Sequence, residues 1–366
     1  MSYLTLDRVT KRFKRDTVLD GLSLSVQRGE TMVVFGPSGC GKTVLLRLIA
    51  GVEEPEEGDI TIGGESIVGL GPEARGVGMA FQNFALYPHM SAFENIASPL
   101  RAAKVAEPEV GARVERLAEL LKIGHVLQHL PRELSNGQKQ RTALARSLAR
   151  EPAVLLLDDP LRNVDAKLRY EMRLELPRVL RAFESTVLYI TQDYKEAMAL
   201  GDRIGVLMDG AFRQVDRPEA IYREPESLEV ARLFGDPTIN LYPCEPQAGA
   251  TGPTIELFGG AQRLAADLAG AEGRDCLVGI RPEHVEVFME ERPDAQPVEL
   301  DAVMPLNIRA VLLLKTQDGR EILASCSEAT AARFPRGHRA AWARIDMDQA
   351  LLFDRASGAR IVPGRA

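Results

Sequence analysis

Short apolar runs alternate with amphipathic stretches along the first two thirds of the chain. TMVVFG (31–36), GVGMAFQ (76–82), AVLLLDD (153–159), TVLYIT (186–191) and RIGVLMDG (203–210) suit buried strands of a largely parallel sheet. Between them lie helical patterns. In GCGKTVLLRLIAG (39–51) Leu45, Leu46, Leu48 and Ile49 crowd one side, and Gly51 is a natural stop. EPEVGARVERLAELLKIGHVLQHLP (107–131) reads as part of a helical insertion spanning roughly 84–151. In 165–183, Leu168, Met172, Leu176 and Leu180 recur at every fourth position. Pro177 is expected to kink or end that helix, at about 3 kcal/mol unless relieved. From LFGDPTINLYPCEP (233–246) onward the pattern shifts to short β-like runs, with a hairpin signal at Asp318-Gly319. The pattern predicts an α/β domain over 1–235 and an all-β, small-barrel domain over 236–366.

Composition narrows the function classes. The 366 residues carry a net charge of -7, with 45% hydrophobic and 27% charged residues. An acidic chain lacks the basic surface of a general nucleic-acid binder, so no nucleic-acid partner is expected. No apolar run reaches the ~18 residues of a membrane span. The start, MSYLTLDRVTKRFKR, lacks an apolar leader core. Cys40, Cys244, Cys276 and Cys326 lie far apart, which fits reduced thiols and no zinc site.

The strongest local signal is GPSGCGKT: Gly36, Pro37, Ser38, Gly39, Cys40, Gly41, Lys42 and Thr43. A predicted strand precedes it and a predicted helix follows, the context a P-loop requires. Glycines let backbone N–H groups curl around an anion, and the helix N-terminus adds its positive end. Lys42 reaches toward the β- and γ-phosphates, and Thr43 offers a hydroxyl to Mg²⁺. Cys40 reads as a small residue that fits the loop. AVLLLDD adds an apolar strand ending in acid, placing Asp158 beside the metal. ATP and Mg²⁺ are the implied ligands.

LSNGQKQRTALARSLAREP (134–152), directly before AVLLLDD, resembles the LSGGQ signature of ABC transporter ATPases. Locally it is also a capping box, with Ser135 at the cap and Gln138 three residues on. The resemblance implies that Ser135, Asn136, Gly137 and Gln138 face the γ-phosphate held by a second ATPase subunit. Asn136 replaces the usual glycine and is expected to tolerate a positive φ. Gln82 resembles the Q-loop glutamine that touches Mg²⁺ and the attacking water. The residues after it resemble the groove for a membrane subunit's coupling helix. Phe13 resembles the aromatic that stacks on adenine, the alternative being an ordinary core phenylalanine. LRNVDAKLR (161–169) resembles the D-loop, with Asp165 reaching across a dimer and Arg162 replacing a common serine.

The implied fold is a RecA-like P-loop core with an α-helical subdomain, followed by an OB-like regulatory domain of TOBE type. VGIRPEHV (278–285) and EAIYREPESLEVARLFGDPTINL (219–241) are similar to importers of sugars, sugar phosphates, polyols and polyamines. The implied partners are a second ATPase subunit, two transmembrane permease subunits and an extracytoplasmic solute-binding protein. The implied location is peripheral, on the cytoplasmic face of the inner membrane.

Two departures bear on turnover. Asp159 stands where the family's catalytic glutamate is usual, and Gln192 where its switch histidine is usual. Aspartate is one methylene shorter, and a misplacement near 1 Å lowers rates about 10²-fold. Gln192 cannot become cationic, a loss of roughly tenfold. The five histidines, His89, His125, His129, His284 and His338, all lie outside this stretch. The expectation is a site that binds ATP well and splits it slowly, in one half of an unequal pair importing a glycerol-like polyol. The alternative is a fully active homodimer serving a sugar, glycerol-phosphate or polyamine importer.

Overall fold

The computed structural model describes residues 2–249, 252–306, 309–334, 337 and 339–362. The chain forms two compact units, Met1–Ala220 and Ile221–Ala366.

The first unit carries two sheets. β1 (Ser2–Phe13), β2 (Asp16–Gln27), β4 (Glu57–Ile62) and β5 (Glu65–Ser66) pair antiparallel in the order β2-β1-β4-β5. The main sheet runs β10-β9-β3-β8-β7-β6. Its members are β3 (Thr31–Phe35), β6 (Val77–Ala80), β7 (Val154–Asp158), β8 (Thr186–Thr191), β9 (Arg203–Met208) and β10 (Ala211–Asp216). All but β10 run parallel, so the five apolar runs read from sequence fall side by side. Every residue of β7 and β8 is buried, because helices cover a parallel sheet on both faces.

Helix α1 (Lys42–Ala50) follows β3 and buries Leu45, Leu46, Leu48 and Ile49. They join Met32, Val34, Leu156, Leu188 and Ile190 in one core. Gly51 ends the helix as expected, at φ 77°. Arg75 closes the same end from outside. Its guanidinium donates to Leu48 O at 2.6 Å and Leu70 O at 2.7 Å, and pairs with Glu54.

The helical insertion contains α2 (Ala92–Ala102), α3 (Glu107–Leu120) and α4 (Asn136–Leu148). Ser91 and Glu94 box the start of α2. Asn95 is fully buried and ties the preceding loop down, donating to Tyr87 O, Met90 O and Ser91 O. Helix α5 (Ala166–Ala182) runs unbroken past Pro177. The expectation that proline ends it is therefore corrected. Buried Met172, Leu176, Val179 and Leu180 anchor the helix on both sides of the missing N–H, so packing outweighs the local penalty. Helix α6 (Tyr194–Leu200) follows β8.

The second unit is built from antiparallel strands. β11 (Asn240–Cys244), β14 (Cys276–Ile280) and β20 (Leu351–Asp354) form one sheet, and β12 (Thr254–Leu257) and β13 (Gly260–Arg263) a ribbon. β15 (Val285–Phe288), β16 (Gln296–Leu306), β17 (Arg309–Thr316), β18 (Glu321–Ser327) and β19 (Arg339–Ile345) form the largest, in the order β15-β19-β16-β17-β18. Lys315 pairs with Glu321 across the Asp318-Gly319 turn, the hairpin read from sequence. Val278, Ile280, Leu300, Leu312, Leu314 and Ile322 fill its core.

Candidate nucleotide site

Gly36 to Thr43 form the turn from β3 into α1. A Cβ at Gly36 would meet Leu207 O at 2.1 Å, so only glycine lets the strand end pass β9. Gly41 caps α1 at φ 105°, the left-handed region that an L side chain strains to enter. Pro37, Ser38 and Gly39 are exposed along the loop, and Gly39 also has positive φ, at 85°. Lys42 is buried, its ammonium donating to Gly36 O at 2.8 Å and Pro37 O at 2.6 Å. The loop thus coils around its own lysine. Cys40 is buried in the core behind the turn and is a free thiol.

The turn opens on a cavity of about 290 Å³. Val18, Ser38, Gly39, Gly41, Lys42, Thr43, Gln82, Asp158, Asp159, Arg162 and Gln192 line it. The structure brings these residues to one cavity from five separate stretches of the chain. Thr43 Oγ1 donates to Asp158 Oδ1 at 3.2 Å. An all-oxygen set of Thr43, Asp158 and Gln82 fits Mg²⁺, which when bound would neutralise phosphate charge. Gln82 is also fixed through its backbone, where Asn163 Nδ2 donates to Gln82 O at 2.8 Å.

Burial pushes the Asp158 carboxyl above its usual range, with the Thr43 hydroxyl and the Arg47 charge opposing. Burial raises Asp159 to about 6, with Arg162 pulling it down and Asp158 pushing it up. Asp159 follows β7 at φ 43°, and its N–H donates to Ile190 O at 3.0 Å. Its Oδ2 lies 3.6 Å from Arg162 Nη1. Gln192, just past β8, accepts at Oε1 from Ser38 Oγ at 2.8 Å. None of the described histidines lines the cavity, and His338 lies outside the described residues.

Phe13 sits at the end of β1, 39% exposed and with the Lys11 ammonium 5.1 Å from its ring. It is not a core side chain. Asp165 caps α5, accepting from Leu168 N at 3.0 Å.

The signature stretch opens α4. Ser135 Oγ accepts from Gln138 N at 3.3 Å, and Gln138 Oε1 from Ser135 N at 2.9 Å, the reciprocal box read from sequence. Asn136 begins the helix and is absent from the positive-φ residues. The cap places position 136 in the first helical turn, so the tolerance of positive φ expected of asparagine is not called on there. Gly137 is buried against Leu168 at the start of α5.

A second cavity, about 750 Å³, includes Met79, Phe81, Ala85, Tyr87, Pro99 and Arg146 in its lining. Phe81 and Tyr87 are 38% and 45% exposed there, and Arg146 lies 5.4 Å over the Tyr87 ring.

Sequence reading missed the polar group behind Gln192. Glu196 is 1% exposed and accepts from Tyr189 Oη at 2.9 Å and Thr191 Oγ1 at 2.8 Å. Burial raises its carboxyl to about 6, against those two donors. A raised folded value means that the ionised form is disfavoured in the fold. The contribution of this carboxyl to stability is then fully present below about pH 4.5 and is lost as pH rises to about 6. Glu196→Gln keeps the acceptor oxygen and removes the charge. Thermal unfolding should show the variant more stable by about 2 kcal/mol at pH 7.5, with the gap closing toward pH 4.5. A less stable variant at pH 7.5 would contradict this.

Several known proteins are similar to this chain. The ABC transporter family profile matches residues 19–162. The sn-glycerol-3-phosphate import ATP-binding protein UgpC of Cereibacter sphaeroides is 41% identical over 323 residues, covering 88% of this chain and 90% of that one. UgpC of Escherichia coli K12 is 37% identical over 363 residues, covering 99% and 100%. The ATP-binding cassette MJ0796, solved as a post-hydrolysis dimer bound to ADP and Pi, aligns at TM-score 0.54 and 29% identity. It covers 59% of this chain and 98% of its own. With relatives 37–41% identical over nearly their whole length, the chain belongs to the ABC transporter family as one of its ATPases.

Proposed function

We propose that this chain is the ATP-binding subunit of an importer for sn-glycerol 3-phosphate or a closely related polyol, and that its own site splits ATP slowly. The solute reading rests on UgpC-like sequence along the whole chain. Slow hydrolysis rests on one observation. At the positions of attack and switching stand a short carboxylate, Asp159, with only the Arg162 charge 3.6 Å away, and a neutral amide, Gln192, already hydrogen-bonded by Ser38. Lys42, Thr43, Gly36 to Gly41 and Phe13 hold the nucleotide, and Thr43, Gln82 and Asp158 the metal. Ser135 to Gln138, boxed at the start of α4, and Asp165 face a second ATPase subunit, in this reading a non-identical one that carries the usual glutamate and histidine.

One of the two permease subunits docks at the Phe81 and Tyr87 groove, and an extracytoplasmic binding protein delivers solute. No described helix is long and apolar enough to cross a membrane. In this reading attachment to the cytoplasmic face runs through that groove. A symmetric, fully active homodimer is the second reading, favoured by Arg162, which returns a cation to the cavity.

Disrupting the gene and measuring uptake of labelled sn-glycerol 3-phosphate, glycerol and maltose tests the solute. Loss of one of the first two is expected, and loss of maltose uptake alone would refute it. Mass analysis of the complex purified from membranes through a tag on this chain counts the ATPase sequences present. Two support the unequal pair, and one supports the homodimer.

A further inference from the structure

Where Gln192 stands, the cavity lacks a switchable cation. Its lining contains only two cationic side chains, Lys42 and Arg162. The Lys42 ammonium is held by the loop carbonyls of Gly36 and Pro37. Arg162 is placed differently. Its backbone N–H donates to Asp159 O at 3.2 Å, which fixes it one turn beyond the acid. Its guanidinium is about half exposed and lies 3.6 Å from Asp159 Oδ2, too long for a formed hydrogen bond. Among the described residues that carboxylate is the sole acidic partner of this guanidinium. The five N–H donors of a guanidinium exceed what one distant carboxylate can take, and their fork matches phosphate oxygens.

We propose that Arg162 is a phosphate-facing cation supplied within the same chain, serving the terminal phosphoryl in place of the charge that Gln192 lacks. It would hold Asp159 from one side and the terminal phosphate from the other. The same chain would thereby distinguish ATP from ADP without a histidine. This rests on the reading of the cavity as the nucleotide site.

The test is binding by the full chain, measured by calorimetry with MgATP and MgADP. Arg162→Ser should weaken MgATP about tenfold or more, the scale of one charge-assisted contact, and change MgADP less than about twofold. Arg162→Lys should recover part of the difference, because it restores charge without the fork. In a Gln192→His background the loss from Arg162→Ser should shrink, since a second cation stands at the same end of the cavity. Equal losses for both nucleotides, or no loss for either, would overturn the inference while leaving the nucleotide site intact. A parent chain that binds neither nucleotide would instead overturn the site itself.

Discussion

Asp159→Glu combined with Gln192→His is expected to raise ATP turnover by the purified chain about 10³-fold, with MgATP affinity nearly unchanged. About 10² of this comes from moving the carboxylate forward by one methylene, because misplacement near 1 Å carries that penalty. About tenfold more comes from a charge-assisted bond where Gln192 offers a neutral one. Affinity should hold because Lys42, Thr43 and Asp158 are untouched. The geometry makes the pair of changes separable. Asp159 leaves β7 at φ 43° with its N–H tied to Ile190 O, so a longer side chain extends from a fixed backbone. Gln192 Oε1 is taken by Ser38, so histidine also frees that hydroxyl. Turnover by the native chain already as fast as that of the double variant would sink the idea of a slow site.

Lys42→Ala is expected to weaken MgATP binding about 10²- to 10³-fold, from the loss of about two charge-assisted phosphate contacts. The ammonium is also the donor that holds Gly36 O and Pro37 O in the turn, so the cradle loses shape as well as charge. Asp158 and Asp159 would then face an anion with only Arg162 opposing them. Titration calorimetry reads this directly. A loss below about tenfold would mean that the phosphates lie elsewhere.

Much of this was legible because it is written in contiguous runs. GPSGCGKT carries its own turn, glycines and lysine within eight positions, and Ser135 and Gln138 cap one helix from three residues apart. The strands of the parallel sheet were readable because both of their faces are buried, as in β7. β1 and β2 were not, since their bulges shift the alternating period several times along one pairing. Nor could sequence join Ser38 to Gln192, 154 positions apart, or show that Tyr189 and Thr191 both serve Glu196. Pro177 misled for a related reason, because its local penalty is visible in sequence and the packing that offsets it is not.

Arg75 gives helix α1 a second anchor. One end of α1 is the cradle, and the other is stapled to Leu70 and Glu54 through a buried guanidinium. A rod pinned at both ends cannot slide to meet its guest. Adjustment on nucleotide arrival must therefore fall to side chains around the rim, above all Lys42 letting go of its own loop.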